Sequence, residues 1–226
     1  MKVLLIGGSR FVGPLVIEKL LANGRDVTVF NRGRIQQEYP KGVRFIKGDR
    51  NGDFPFKGKE RFDAVIDACA HNGAQTERAI KEIKFDFFVH FSTAAVYQKT
   101  EIFPLTEESP LGEWPLWGNY NRGKTECEEV LKKSGIRYAS IRPVYILGPK
   151  NYCDRELFIY SRIKKGAPVV LPGNGQALAQ FVFAKEVAAA AVFLAENKTT
   201  GVFNCAGDEI ITLRGLVEEM AQITGR

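Results

Sequence analysis

Histidine is nearly absent from this sequence and cysteine is sparse. The two histidines, His71 and His90, and the four cysteines, Cys69, Cys127, Cys153 and Cys205, are scattered with no C-x-x-C pair. Neither a zinc site nor a disulfide framework has a convincing ligand set, so no metal is expected and the thiols read as free. Long apolar runs are missing too, none approaching the ~20 residues that cross a bilayer. The opening MKVLLIGG is too short for a signal peptide, which points to a cytoplasmic protein with no membrane partner. Charge of one sign is not concentrated anywhere. The net charge is +6, but the densest basic group is RIKK at 162–165, which reads as a solvated face and disfavours a nucleic-acid partner. Internal repeats, low-complexity segments and linkers are also lacking.

What is present is a regular alternation of short apolar runs with helical stretches, the order of a parallel sheet covered by helices. The expected strands are Val3–Ile6, Val27–Phe30, Val43–Ile46, Ala64–Ile66, Phe87–His90 and Tyr138–Ile141, bounded mostly by Gly, Asp or Asn. Between the first two lies PLVIEKLLANG, where Leu15, Val16, Lys19, Leu20 and Ala22 form a helical stripe and Asn23-Gly24 supplies the stop. With 226 residues, 45% of them hydrophobic, the chain can bury one full core, with or without a small extra lobe.

The strand-to-helix turn of this first unit reads GGSRFVG, residues 7–13. Exposed backbone N–H groups and the helix dipole at such a turn favour a pyrophosphate. Gly7 suits a tight turn and Gly13 a close approach of helix and strand, so Gly7, Ser9, Arg10, Phe11, Val12 and Gly13 are candidate dinucleotide contacts. At the end of the second strand, Asn31-Arg32 stands where an NAD-selective enzyme usually carries an acidic residue for the ribose 2′-hydroxyl. Asn31 removes the repulsion of a 2′-phosphate, and Arg32, with Arg10 expected on the adjoining turn, offers it a charge-assisted grip. NADP is therefore favoured over NAD.

A second constellation is YNRGK at 120–124, which opens a helical run. Tyr120 and Lys124 are four apart and share a helix face. A phenol is a poor base at neutral pH unless a nearby cation stabilises the phenolate, which Lys124 would do. Upstream, FSTAAVY at 91–97 leaves the fifth expected strand at the end where open α/β sheets bind ligands, and offers the hydroxyls of Ser92 and Thr93. Whichever of these is not catalytic is expected to hydrogen-bond locally.

Taken in order, G-x-x-x-x-x-G, S-T-x-x-V-Y, Y-x-x-x-K and R-P-x-x-x-x-G-P at 142–149 resemble an extended short-chain dehydrogenase/reductase of the NAD(P)-dependent epimerase/dehydratase family. The resemblance covers essentially the whole chain and implies a Rossmann-type α/β fold, a doubly wound parallel sheet with a small C-terminal substrate lobe. It implies Tyr120 as acid/base, Lys124 as the residue that holds the ribose hydroxyls and lowers the tyrosine pKa, and Thr93 as the donor to the reacting oxygen. Further cofactor contacts implied are Asp49 and Arg50 in KGDRNG, Ala68-Cys69-Ala70 after the fourth strand, and Pro143-Val144 beside the nicotinamide. Family members move a hydride between a nicotinamide and a sugar carbon, often in a nucleotide-sugar, and are often dimers through the helix that carries the tyrosine.

The implied division is a dinucleotide-binding domain over 1–150, joined again by 181–205, with 151–180 and 206–226 forming the lobe. Three features depart from sugar-nucleotide members. Arg10 replaces a usual glycine, which makes GGSRFVG with VTVFNRG resemble the atypical branch that includes the chloroplast stem-loop-binding proteins, some of which bind RNA. Ala179 stands where epimerases tend to have a diphosphate-binding arginine. The sequence reaches MAQITGR only one helix after Thr212, as if the lobe were small or cut short. The alternative to a sugar-directed oxidoreductase is thus an RNA-binding protein with a structural or regulatory nucleotide site.

Overall fold

In a computed structural model, residues 1–35, 37–52, 54–56 and 60–225 are described; Arg226 and the five other remaining positions of the expected domains lie outside them. Seven strands form one parallel sheet: β1 (Lys2–Ile6), β2 (Asp26–Asn31), β3 (Val43–Lys47), β5 (Ala64–Asp67), β7 (Phe88–Phe91), β8 (Tyr138–Pro143) and β11 (Gly201–Cys205), with a small parallel pair made by β4 (Arg61–Phe62) and β6 (Lys84–Phe85). The spatial order is β11-β8-β7-β5-β1-β2-β3. The chain winds outward from β1 in one direction through β2 and β3, then returns to β5 and winds the other way. The switch point therefore lies between the carboxyl ends of β1 and β5, where doubly wound sheets hold their ligands.

The apolar runs of β1 are continuous because both faces of the sheet are covered. Val3 and Leu5 point into a core shared with α1 (Val12–Ala22) and α5 (Ala184–Asn197), while Leu4 and Ile6 point into a second core with Phe30, Phe54, Phe56 and Phe62, closed by Ala79 of α2 (Gly73–Glu82) and Leu131 of α3 (Gly118–Ser134). Helix α1 buries Val12, Gly13, Val16, Ile17 and Leu20. The expected stripe is thus right at Val16 and Leu20, but Leu15 is only half-buried and Lys19 and Ala22 are exposed, because α1 packs along α5 and needs Ile17 inward.

The C-terminal elements form a separate three-stranded sheet. In it β10 (Leu178–Phe183) runs parallel to β9 (Tyr145–Leu147) and antiparallel to β12 (Ile210–Thr212), flanked by α4 (Arg155–Lys164) and α6 (Leu213–Thr224), which pack on each other. The small sheet thus begins at Tyr145 and retains Phe181–Phe183, a few residues inside segments expected in the main domain. Backbone pairing of β9 with β10 draws them there, and α5 and β11 carry the chain back to the large sheet. The α/β class, the parallel sheet and the added C-terminal elements agree with the sequence reading. Among the described residues no helix is long and apolar enough to cross a membrane.

Candidate active site

The first turn is built as the glycines require. Gly7 and Gly8 have φ of 98° and 77°, values that side chains resist. A Cβ on Gly13 would lie 2.3 Å from Gly8 Cα, so α1 can start against this turn only with glycine there. No side chain caps the N-terminus of α1, whose Gly13 N–H closes the turn on the Arg10 carbonyl at 2.9 Å. Across the switch point, Cys69 packs on Gly7, a Cβ on which would lie 3.1 Å from the Cys69 Cβ.

Asn31 does more than remove a charge. Its Nδ2 donates to the Gly7 carbonyl at 3.0 Å and to the Tyr39 hydroxyl at 2.7 Å, and its Oδ1 accepts from the Gly33 N–H at 2.9 Å. The side chain thereby ties the end of β2 to the cofactor turn. Sequence reasoning set Arg10 beside Arg32. The structure instead places the Arg10 guanidinium over the ring of Tyr152, 5.7 Å from its centroid, while Arg32 is exposed and forms no ion pair among the described residues.

Asp49 folds its own turn, its Oδ1 accepting from the Asn51 N–H at 2.9 Å. Arg50 is 9% exposed and turned inward. It donates to both carboxylate oxygens of fully buried Asp67 at 2.7 and 2.8 Å, to the Gln75 carbonyl at 3.0 Å and to the Cys69 Sγ at 3.4 Å. Burial alone would raise the Asp67 pKa, but the Arg50 charge and its hydrogen bonds hold it below the usual carboxylate value. Burial, reinforced by Asp67, pushes the Cys69 thiol up, so Cys69 is a packing group and not a thiolate. Asp67 also accepts from the Cys69 N–H at 3.1 Å, which fixes the Ala68–Ala70 turn. Arg50, expected as a cofactor contact, therefore reaches the crevice through that turn. At the end of β8, Pro143 is buried and Val144 donates its N–H to the Cys205 carbonyl at 3.1 Å.

Tyr120 and Lys124 lie in the first turns of α3. A Cβ on Gly123 would come within 1.9 Å of the His71 carbonyl, so this helix approaches the loop after β5 at a distance only glycine allows. Tyr120 is 43% exposed. Partial desolvation pushes its phenol up, and hydrogen bonding with Thr93 works in the opposite direction. Thr93 also caps the short 3-10 turn Ala94–Val96. Lys124 is buried and donates to the Phe91 carbonyl at 2.5 Å; desolvation lowers its pKa despite the nearby Asp67. The lysine is held by the strand end.

Ser92 faces the other way. Its hydroxyl donates to Glu128 at 2.5 Å, within a buried network in which Arg142 grips the same carboxylate and also donates to the Tyr97 hydroxyl at 3.0 Å. Tyr97 in turn donates to Asn204 at 2.5 Å. This network ties α3 to β7, β8 and β11 and holds Tyr120 and Lys124 over the strand ends. Sequence reasoning missed it, although Tyr97 and Arg142 are letters of the motifs used and Glu128 lies one helical turn beyond Lys124. His90 was likewise read only as an improbable metal ligand. It is fully buried, both ring nitrogens lack a hydrogen-bond partner, and desolvation with the Lys124 charge holds its pKa down to about 3.

Gly7, Asn31, Ala68, Thr93 and Pro143 stand at the carboxyl ends of β1, β2, β5, β7 and β8, the edge of the sheet where doubly wound folds hold ligands. The family model for the NAD dependent epimerase/dehydratase family matches residues 74–206. The chain belongs to that family. It is similar to the chloroplast stem-loop binding protein of 41 kDa b from Arabidopsis thaliana, at 31% identity over 99% of this chain and 63% of the relative. It spans between 52% and 63% of the length of that relative and two other curated ones. Among solved structures it is similar to the UDP-N-acetylglucosamine 4-epimerase from Methanobrevibacter ruminantium in complex with UDP-N-acetylmuramic acid, with a TM-score of 0.83, 21% identity and coverage of 100% of this chain and 82% of the other. The UDP-glucuronic acid 4-epimerase from Bacillus cereus in complex with NAD gives a TM-score of 0.82 at 23% identity, with 100% and 85% covered. At these identities the family's solved structures establish the fold.

Proposed function

We propose that the protein is an NAD(P)-dependent oxidoreductase of the epimerase/dehydratase type that acts on a sugar or nucleotide-sugar. The observation that carries this reading is the turn of Gly7 to Gly13 at the switch point, where a side chain on Gly8 or Gly13 would clash, together with Tyr120 and Lys124 one turn apart on α3 and Thr93 beside the Tyr120 phenol. A protein using this fold only as a scaffold has no need of that trio. The relatives crystallised with NAD and with a uridine nucleotide-sugar support the same reading.

The residues present fit a dinucleotide. The Gly7–Gly13 turn and the N–H groups of α1 would hold its diphosphate, Asp49 its adenine, Ala68–Ala70 and Pro143-Val144 its length toward the nicotinamide, and Lys124 the ribose. When bound, that group supplies the hydride acceptor and donor. The chain's own part is proton movement. Tyr120 takes the proton of a substrate hydroxyl through its phenol oxygen or returns it, and Thr93 orients the same oxygen by donating to it. Lys124, one helical turn from Tyr120 on α3, would lower the phenol pKa by placing its charge beside it. The exposed guanidinium of Arg32 and the absence of a carboxylate at position 31 favour NADP. A homodimer through the outer faces of α2 and α3, in the cytoplasm, completes the reading.

Mass spectrometry of the nucleotide that copurifies with the protein tests it directly. NADP or NAD is the expected finding, and a protein that neither retains nor binds either one overturns it. The Arabidopsis relative keeps a second reading in view, an RNA-binding role. Such binding would weaken steeply as salt rises, because phosphate contacts release counterions, and negligible binding of a mixed RNA pool at moderate salt removes it.

A further inference from the structure

Three side chains meet beside the Gly7–Gly13 turn, and one of them, Tyr152, has no part in the chemistry described above. Arg10 and Phe11 project from the cofactor turn; Tyr152 comes from the Gly148–Asp154 loop between β9 and α4. The Arg10 guanidinium lies 5.7 Å from the Tyr152 ring centroid, and Phe11 meets the same ring edge-on at 6.4 Å with the planes at 90°. We propose that this clasp is a latch on cofactor release: Tyr152, held by Arg10 and Phe11, closes the Gly148–Asp154 loop over the dinucleotide turn, and a bound cofactor leaves only when the clasp opens. The proposal rests on the dinucleotide site proposed above.

Several observations support it. Tyr152 is 64% exposed, so its ring contributes almost nothing to a core, and its placement needs another reason. Arg10 has no carboxylate partner among the described residues, which leaves the aromatic face as its partner. Phe11 sits at φ 51° and ψ −100°, a backbone state that costs an aromatic residue energy and is kept where surrounding contacts demand it. Asn151 shapes the loop, accepting from the Cys153 N–H at 3.0 Å and donating at 2.6 Å to Glu156 of α4. A cavity of about 350 Å³ adjoins it, lined by Gly148, Lys150, Asn151 and Cys153 from the loop and by Tyr160 and Met220 from the helices. Tyr152 alone of the residues from 148 to 153 does not line that cavity and is turned to the crevice. The Tyr152 phenol also acts to raise that of Tyr120, which sets the ring within electrostatic range of the acid/base.

Stopped-flow displacement of bound NADPH by excess NADP, followed by nicotinamide fluorescence, reads the release rate. Tyr152→Ala is expected to speed release about fivefold, the scale of one exposed cation–π contact plus one aromatic edge contact, with the unliganded melting temperature unchanged. Tyr152→Phe keeps the ring and stays within about twofold of wild type. Read with NADH, which carries no 2′-phosphate for Arg10 to grip, adding Arg10→Gln to Tyr152→Ala gives little further change, since both open the same clasp. Wild-type release from Tyr152→Ala, or additive effects in the double variant, overturns the latch while leaving the cofactor site intact. A wild-type protein that binds neither NADPH nor NADH overturns the underlying reading, and the latch with it.

Discussion

Glu128 of α3 and Arg142 of β8 form a buried bidentate ion pair, with Arg142 Nε 3.0 Å and Nη2 2.5 Å from the carboxylate oxygens. Both side chains are nearly inaccessible, at 7% and 4% exposure. Glu128→Ala would strand a buried guanidinium and is expected to cost about 3–5 kcal/mol, while Glu128→Leu combined with Arg142→Met recovers much of that loss. Urea unfolding of the three proteins checks both statements.

Proton transfer at Tyr120 gives a sharper test. Tyr120→Phe is expected to lower turnover by at least about a hundredfold with cofactor affinity nearly unchanged, since only the proton-carrying atom is removed. Unchanged turnover would take Tyr120 out of the mechanism.

The Thr93 contact sets a direction for the pH profile. Its hydrogen bonding favours the phenolate, against the desolvation that raises the pKa. Thr93→Val should therefore move the alkaline rise of kcat/KM to higher pH, and Thr93→Ser should restore it.

Cofactor choice should respond to Arg32. Arg32→Asp is expected to weaken NADP by about tenfold or more and NAD far less, because a carboxylate repels the 2′-phosphate and accepts from a 2′-hydroxyl. Equal losses in calorimetric titrations would show that this side chain does not reach the ribose.

His90 predicts an acid arm in the stability curve. Its pKa is about 3 in the fold against the usual 6.5, so the unfolded chain binds more protons between those values. Stability is then complete above pH 6.5 and falls by up to about 1.4 kcal/mol per pH unit on acidification. His90→Leu should flatten urea midpoints between pH 6.5 and 4, leaving a smaller slope from His71, whose pKa is also lowered. Below the usual Asp value near 3.8 the loss of the depressed Asp67 carboxylate takes over, in both proteins.

The large sheet was legible because its strands are buried on both faces, and continuous apolar runs such as VLLI and VTVF leave few alternatives. The helix that carries Tyr120 and Lys124 was legible from their four-residue spacing. Reading failed where a side chain's partner is distant in sequence. Nothing near Arg50 announces that it turns inward to Asp67, seventeen residues on, and nothing near Arg10 announces Tyr152. The small sheet was placed a few residues off because β9 and β10 pair across the intervening α4 segment, a long-range choice that local propensity does not record.

The bond from Asn31 to the Gly7 carbonyl couples two properties that are independent in most engineering schemes. Position 31 is where an acidic residue would switch the ribose preference, but a carboxylate has no proton to give Gly7 or Tyr39. Asn31→Asp would therefore loosen the diphosphate turn while it altered selectivity. In the proposed site, a change of cofactor would proceed through Arg32, with Asn31 held constant as part of the turn itself.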